Sequence, residues 1–371
     1  MDKLKSPSDK ILYQAIMEMQ EPVVFQHMLQ NEKGEYCWKL LEWNLSELAE
    51  KFGDIKLPFR LGYNARSMTP QWEINCSTVS ITLSYFIQNM NLHKDHGQWF
   101  DIDKTGDDST LWIGSKGAHT NCHQDSYGCN LVAQIHGSKQ WLLFPPSSSN
   151  FLQPTRIPYE ESTIYSKYNF FCPTKEDEIN ILKIQDTARL VTLEPGDVLF
   201  VPPGWWHYVE SLELTVSVNI WLPIITDNIS RVKEAIVKLI VTRIGKDVNN
   251  VPNDTECIDL LNIAIGECKT MTNVESSSEK IKRNIWTAKD LVTEYPIYVK
   301  LLRELSHTEL KEFLRMKRER FPEVYIESVK EDSKPHIDIQ NTYASQDLTE
   351  KVVNALCHPD VVNKVSELLL S

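Results

Sequence analysis

The chain has 371 residues, 42% of them hydrophobic and 9% aromatic, enough for a sizeable core in one large domain or one domain with an appendage. Its 39 basic against 51 acidic side chains give a net charge of -12, which removes any global attraction to phosphate or to anionic membrane and disfavours nucleic acid as a partner. No uninterrupted apolar run is long enough to span a bilayer, and the start MDKLKSPSDKILYQ lacks the basic-then-apolar pattern of a signal peptide. Eight scattered cysteines without a CxxC pair read as free thiols, so a soluble cytoplasmic protein is expected.

Residues 1–110 read as an N-terminal α/β segment. Ile11, Leu12, Ala15, Ile16 and Met19 recur at helical spacing until Pro22, and VVF then has strand character. A second helix is expected at Asn44 to Phe52, a strand at IKLPFRLGY, and a helix from Val79 through VSITLSYFIQNM. From Leu111 to about residue 225 the texture changes to short Val, Ile, Leu, Phe and Trp runs broken by Gly, Pro and Asn, the pattern of antiparallel strands joined by turns. NLVAQIHG and KQWLLFPP, separated by His136-Gly137-Ser138, predict a hairpin. In LTVSVNIW, Thr215, Ser217, Asn219 and Trp221 alternate with Leu214, Val216, Val218 and Ile220, which predicts one wet and one dry face. The long connection Ser147 to Arg189 is expected to form a rim over a cavity in its first half and a solvated loop around the KEDE cluster in its second. Residues 226–330 read as a helical C-terminal region, with Asn- and Ser-rich linkers between 245 and 280. The basic run Lys311 to Arg320 is expected to be a solvated helix face, and 331–371 to be a linker followed by a terminal helix pair.

The chemistry-bearing residues lie in two pieces, AHTNCHQDSYGCNLVAQIHGSKQWLLFPP and PGDVLFVPPGWWHYVESL. The first holds His123 and Asp125 ahead of the core strands and Lys139 at the start of one; the second holds His207. Two imidazoles and one carboxylate can grip one face of a divalent metal and leave the other open, as in non-haem Fe(II) oxygenases. His-X-Asp alone is a weak signal, because His93/Asp95, His336/Asp338 and His358/Asp360 share it. Those three fall in polar runs or at a helix break; only His123/Asp125 stands before core strands. His119, in a Gly-flanked and non-helical segment, is not expected to bind metal, and Cys122 and Cys129 read as small buried fillers. Strand parity leaves Lys139 equally suited to a hairpin end on the surface and to an inward cation awaiting an anion. Thr120, Asn130, Ser217 and Asn219 offer the hydrogen bonds such an anion would use.

These stretches, with STLWIGSKGAHT and PTRIPYEES, resemble the JmjC/cupin-like Fe(II)- and 2-oxoglutarate-dependent oxygenases. The similarity is strongest to the group that holds the asparaginyl hydroxylase inhibiting hypoxia-inducible factor and a JmjC protein associated with a small heat-shock protein. EPVVFQHM, LAEKFGD and LTEKVVNALCHPDVV extend the likeness to both ends, whereas residues 245–345 match nothing placed. The resemblance implies a mainly β core, a double-stranded β-helix or jelly-roll, preceded by the α/β segment and followed by helices that in relatives often support a homodimer. It implies Fe(II) at His123, Asp125 and His207, and 2-oxoglutarate with its far carboxylate on Lys139 and Thr120. Asn130 and Asn219 would lie near the metal end and Trp221 beside the pocket. One departure stands out: relatives carry a tyrosine for that carboxylate on a helix ahead of the LWIGS-like strand. Here NMNLHKDHGQWFDIDKTGDD joins the segments directly, and Tyr85 lies in the preceding helix. The implied function is a protein hydroxylase. The alternative is a catalytically weak or inactive JmjC-fold protein acting through a protein partner such as a small heat-shock protein. A cupin metalloenzyme of another kind is disfavoured, since those use more histidines at the metal; histone demethylation lacks a chromatin-reading module or a basic surface here.

Overall fold

The computed structural model describes residues 6–31, 33–52, 55–62, 69–73, 76–89, 97–102, 109–184, 187–244, 254–275, 286–321 and 340–371. Among them the strands form two antiparallel sheets. The larger runs in the order β15 (Val299–Leu301), β1 (Val23–Phe25), β12 (Val198–Val201), β7 (Cys129–His136), β14 (Thr215–Leu222), β5 (Ser109–Gly114), β4 (Gly97–Ile102), β2 (Lys56–Gly62) and β3 (Ser77–Thr82). The smaller runs β16 (Arg303–Glu304), β11 (Arg189–Leu193), β8 (Lys139–Phe144), β13 (Trp206–Ser211), β6 (His119–Asp125), β10 (Thr163–Ser166) and β9 (Pro154–Thr155). This is a jelly-roll core with helices on both sides of it in sequence.

The two-residue alternation of each strand decides which side chains enter the space between the sheets and which meet helices outside. In β8, Trp141 and Leu143 join Val132 of β7, Leu199 and Val201 of β12 and Val209 of β13 in an inner cluster. Leu142 and Phe144 turn outward, with Trp206 and Tyr208 of β13, to meet α4 (Lys175–Ile181) and α8 (His307–Glu319). Outside the larger sheet, Ala133, Ile135, Ile113 and Val216 pack on Leu48 of α2 (Leu45–Phe52) and Leu83 and Phe86 of α3 (Leu83–Asn89). The helix α1 (Asp9–Glu18), capped by Ser8, packs with α7 (Ala288–Glu294) against β1. A last layer is α5 (Asp227–Ile244), α6 (Asp254–Glu275), α9 (Gln340–Leu356) and α10 (Pro359–Leu370), joined through Val232, Ile236, Cys268, Val353 and Val362.

Several sequence expectations change. The two runs β7 and β8 do not form a hairpin: β7 pairs with β12 and β14, and β8 with β11 and β13, in different sheets. Gly137 makes the turn at φ +61°, where a Cβ would sit 2.1 Å from the Leu214 carbonyl oxygen. Apolar spacing identifies a strand but not its neighbour, and a jelly-roll sends successive strands to opposite sheets. The stretch from Val79 stays extended to Thr82 and becomes helical only at Leu83. The second half of the 147–189 connection is not a solvated loop, because Phe170, Phe171, Cys172, Ile181 and Ile184 are core residues. Its acidic cluster opens α4, where Thr174 and Asp177 form a capping box and the carboxylates face the positive end of the helix. Within the C-terminal region, Val299–Leu301 and Arg303–Glu304 are strands that extend both sheets. The 245–280 stretch, read as Asn- and Ser-rich linkers within the helical region, carries the 22-residue α6, while residues 245–253 and 276–285 lie outside the described ones. The basic run on α8 is not a solvated face: Lys317 is buried and bonds Glu210 of β13, as does Arg320, while Arg318 bonds Glu178 of α4 at 2.9 Å. The His93/Asp95 and His336/Asp338 pairs lie outside the described residues.

Candidate metal centre

His123 and His207 face each other in register on the neighbouring strands β6 and β13, with ring centroids 4.1 Å apart, and Asp125 ends β6 two residues on. A break in the β6–β13 register follows immediately, between His207 and Val209. Asp125 Oδ1 lies 3.8 Å from His123 Nε2 and its Oδ2 lies 4.0 Å from His207 Nε2. The three donor atoms fall within 4.8 Å of one another, and this is the one such metal-competent group among the described residues.

Both rings are oriented from behind. His123 Nδ1 is 2.9 Å from the Asn121 carbonyl oxygen and His207 Nδ1 is 3.0 Å from that of Trp205. A ring that donates through Nδ1–H must be the tautomer with its lone pair on Nε2, so both lone pairs are directed to the side where Asp125 lies. Burial, reinforced by the neighbouring His123, holds His207 neutral with a pKa lowered to about 4. On the open side Trp221 Nε1 donates to Asp125 Oδ2 at 3.1 Å, from the opposite sheet. The donor set fits a divalent transition metal with free positions, the His₂-carboxylate arrangement.

A cavity of about 620 Å³ opens from this triad between the sheets. Lys139, at the head of β8, lines it and is 8% exposed; its ammonium donates to Ser217 Oγ of β14 at 2.7 Å and, among the described residues, meets no carboxylate within ion-pair distance. Burial alone lowers its pKa to about 7. Thr120, Asn130, Asn219 and Trp221 also line the cavity, and Asn219 Nδ2 donates to Asn130 Oδ1 at 3.2 Å. The eight residues that the resemblance assigns to metal and cosubstrate thus border one space, and Ser217 stands behind Lys139 as its hydrogen-bond partner. The structure adds two donors: Trp112 and Trp141 line the cavity, and each has a buried indole Nε1 with no hydrogen-bond partner among the described residues. An uncompensated buried N–H costs on the order of 1–3 kcal/mol, so this end of the cavity suits an anion rich in oxygen acceptors. Trp141 was legible as the residue two after Lys139 on the same strand face; Trp112, opposite Ser217 in the β5–β14 register, was not, because that pairing leaves no signal in the sequence.

His119 lines the same cavity without joining the triad. Its Nδ1 bonds the Gly117 carbonyl oxygen at 2.9 Å, its ring stacks on Phe171 at 3.9 Å, and burial lowers its pKa to about 4. Tyr165, opposite His123 in the β10–β6 register, donates its hydroxyl to Glu160 at the cavity wall, and neither was foreseen. Cys122 and Cys129 are buried in the core. The segment joining α3 to β5, expected to lack a tyrosine donor, includes β4, whose neighbours are β2 and β5; residues 90–96 and 103–108 lie outside the described ones.

Residues 93–227 match the family model described as a cupin-like domain. The chain is 39% identical over 264 residues to HSPB1-associated protein 1 of Homo sapiens, covering 61% of this chain and 52% of that protein. It is 34% identical over 327 residues to the HSPB1-associated protein 1 homolog of Danio rerio, covering 72% of this chain and 70% of the relative. A shorter match, 36% over 111 residues, is to the lysine-specific demethylase JMJ31 of Arabidopsis thaliana, with 30% of this chain and 20% of that protein covered. The chain spans about half the length of the mammalian relatives it matches. With 70% of the Danio rerio relative covered at 34% identity and a cupin-like domain matched over residues 93–227, the chain belongs to the cupin-like JmjC family that includes the HSPB1-associated protein 1 homologues.

Proposed function

We propose that the chain is an Fe(II)- and 2-oxoglutarate-dependent dioxygenase that hydroxylates a protein side chain. The carrying observation is that the His123, Asp125 and His207 triad shares one cavity with a buried lysine that has no carboxylate partner. His123, Asp125 and His207 would hold Fe(II), whose chemistry when bound together with 2-oxoglutarate is the activation of dioxygen. Lys139 and Thr120 would take the far carboxylate of the cosubstrate, with Ser217 fixing the lysine head. The unpartnered indole N–H groups of Trp112 and Trp141 stand where additional acceptors are needed, which offsets the tyrosine that relatives use. The Nδ1 bonds to Asn121 and Trp205 keep both imidazoles as ligands, and the Trp221 bond keeps one carboxylate oxygen of Asp125 engaged. Asn130 and Asn219 form a polar wall at the metal end.

Anaerobic titration with Fe(II) and 2-oxoglutarate tests this: a weak visible charge-transfer band should form and be absent in a His123→Ala/Asp125→Ala variant. A metal-loaded protein with no band would sink the proposal.

A second reading is a JmjC-fold binding protein with weak or no turnover. What favours it is the name of the relatives, HSPB1-associated protein 1, together with apolar residues left exposed on α9 and α10, such as Leu348, Val352, Val361 and Leu368. Under it the partner would be a small heat-shock protein or a second copy of the chain. Succinate release above background in the presence of candidate protein substrates would remove that reading. A cytoplasmic site of action fits the eight free cysteines. No helix among the described residues is long and apolar enough to cross a membrane.

A further inference from the structure

The turn Ser126-Tyr127-Gly128 carries the chain from Asp125 into β7, and it is held from outside the barrel by α5. Asp227, the first residue of that helix, accepts the Gly128 N–H on its Oδ1 at 2.8 Å. Seven residues on, and so on the same helix face, Glu234 accepts the Ser126 hydroxyl on its Oε1 at 2.8 Å. The two carboxylates therefore grip the first and third residues after a proposed metal ligand. Gly128 sits at φ +62° with a Cβ position 2.6 Å from the Leu222 carbonyl oxygen, so this turn has no room for a side chain there.

Glu234 also holds the cavity rim. It accepts Arg156 Nη1 at 2.9 Å and Ser162 N–H at 3.2 Å on its Oε2, and Arg156 Nη2 on its Oε1. The Ser162 carbonyl oxygen in turn accepts the Ser126 N–H at 2.8 Å, which closes a ring of bonds from helix to rim to the turn after Asp125. With four donors on two oxygens the carboxylate is saturated. Glu234 is 3% exposed and Arg156 7%, so neither has water to fall back on. From the other side, Asn354 of α9 accepts the Arg156 N–H at 2.9 Å and the Thr155 hydroxyl at 3.2 Å.

Apolar contact alone would suffice to dock a helix against a barrel, and it would avoid the desolvation of two carboxylates. What directed bonds add is position. Asp125 stands at the end of a strand and is partly open to solvent, so its carboxylate is the ligand of the triad most in need of fixed neighbours. We infer that Glu234, seconded by Asp227, is a positioning residue for Asp125: α5 fixes the turn after the ligand and the Ser162 rim, and thereby sets the metal affinity of the barrel. This rests on the metal reading above.

Removing Glu234 would leave Arg156 buried without a counter-charge and could unfold the chain, so the link is best cut from its other end. The probe is Co(II), added to the full chain and to its Ser126→Ala and Ser126→Thr variants, read by the visible d–d absorption, by the Co(II) dissociation constant and by the thermal midpoint without metal. Loss of the hydroxyl in Ser126→Ala should weaken Co(II) binding by about tenfold and change the band shape while the midpoint holds. Ser126→Thr, which keeps the hydroxyl, should bind as the unaltered chain does. An unchanged constant and band in Ser126→Ala overturn the inference and leave the metal reading standing. So does a loss of affinity that tracks a fall in midpoint and is not restored by threonine. An unaltered chain that gives no Co(II) band overturns both.

Discussion

Two buried lysines on opposite sides of the smaller sheet show how differently one side chain can be used. Lys317, on α8, is 6% exposed and meets Glu210 of β13 together with Arg320, whose guanidinium also lies 4.6 Å from the Phe171 ring. Lys139, 8% exposed on the inner face, meets one hydroxyl. Although burial pushes Glu210 up, Lys317 and Arg320 hold its carboxyl down at about 2, so this cluster is charged and complete in the folded chain. Burial pushes both lysines toward their neutral forms, but at Lys317 the Glu210 carboxylate opposes that shift, whereas at Lys139 burial acts alone. The paired lysine secures α8 to the barrel; under the function proposed above, the other would be a binding group whose counter-ion comes from solution. Burial alone does not separate these roles, and the partner atoms do.

The contrast can be broken from either side. Glu210→Ala should have the largest effect, leaving two cations facing apolar surroundings and costing about 3–5 kcal/mol in urea unfolding. A loss under 1 kcal/mol would mean that α8 is held by its apolar residues alone. Lys139→Met should act with opposite sign on stability, raising it by about 1 kcal/mol because an unpaired buried cation is replaced by a hydrophobe of similar length. The same change should weaken 2-oxoglutarate binding by roughly two orders of magnitude, about 3 kcal/mol, measured by calorimetry. An intact affinity would dissolve the comparison.

A smaller effect follows from linkage. The folded pKa of Lys139, about 7, lies below the ordinary lysine value of 10.5, so between these values the unfolded chain binds a proton that the folded chain does not. Without cosubstrate its contribution should therefore make stability rise as pH increases from 7 toward 10.5, and that increment should vanish in Lys139→Met. For Glu210 the window is the acid one: its contribution is present above the ordinary 4.5 and is lost as pH falls through about 2. The smallest change is expected at Arg315, which pairs with Glu312 and Glu319 on the open face of α8. Arg315→Ala should leave the unfolding midpoint unmoved, since exposed ion pairs are screened and contribute little.

Parity along the strands was the most legible part of the fold. It put Ser217, Asn219 and Trp221 on one side of β14 and Val216 on the other, and the structure has the first set at the cavity and the second in the cluster beneath α2 and α3. Strand partners were not legible, because β7 and β8 carry the same apolar texture whether they pair with each other or join separate sheets. Charge was misleading wherever it was satisfied internally. The KEDE run read as solvated although it caps a helix, and the Lys311 to Arg320 run hid Lys317 because its counter-charge, Glu210, lies more than a hundred residues away. At the centre itself, His123, Asp125 and His207 were visible as residue types, while the Nδ1 bonds that orient them run to backbone carbonyls, which leave no trace in side-chain identity.

At one side of the larger sheet β1 lies between β12 and the edge strand β15, so residues 23–25 take their two neighbours from 198–201 and 299–301. That order has a meaning in time. A chain made at about 5–20 residues per second needs roughly 14–55 s to go from the first of these segments to the last. Throughout that interval Val23, Val24 and Phe25 present an unmatched apolar edge, first with no neighbour and then with one. The barrel that carries the triad is encoded in the middle of the chain, yet its border is sealed only when the last of these strands emerges, and until then the nascent protein is itself a candidate for chaperone protection.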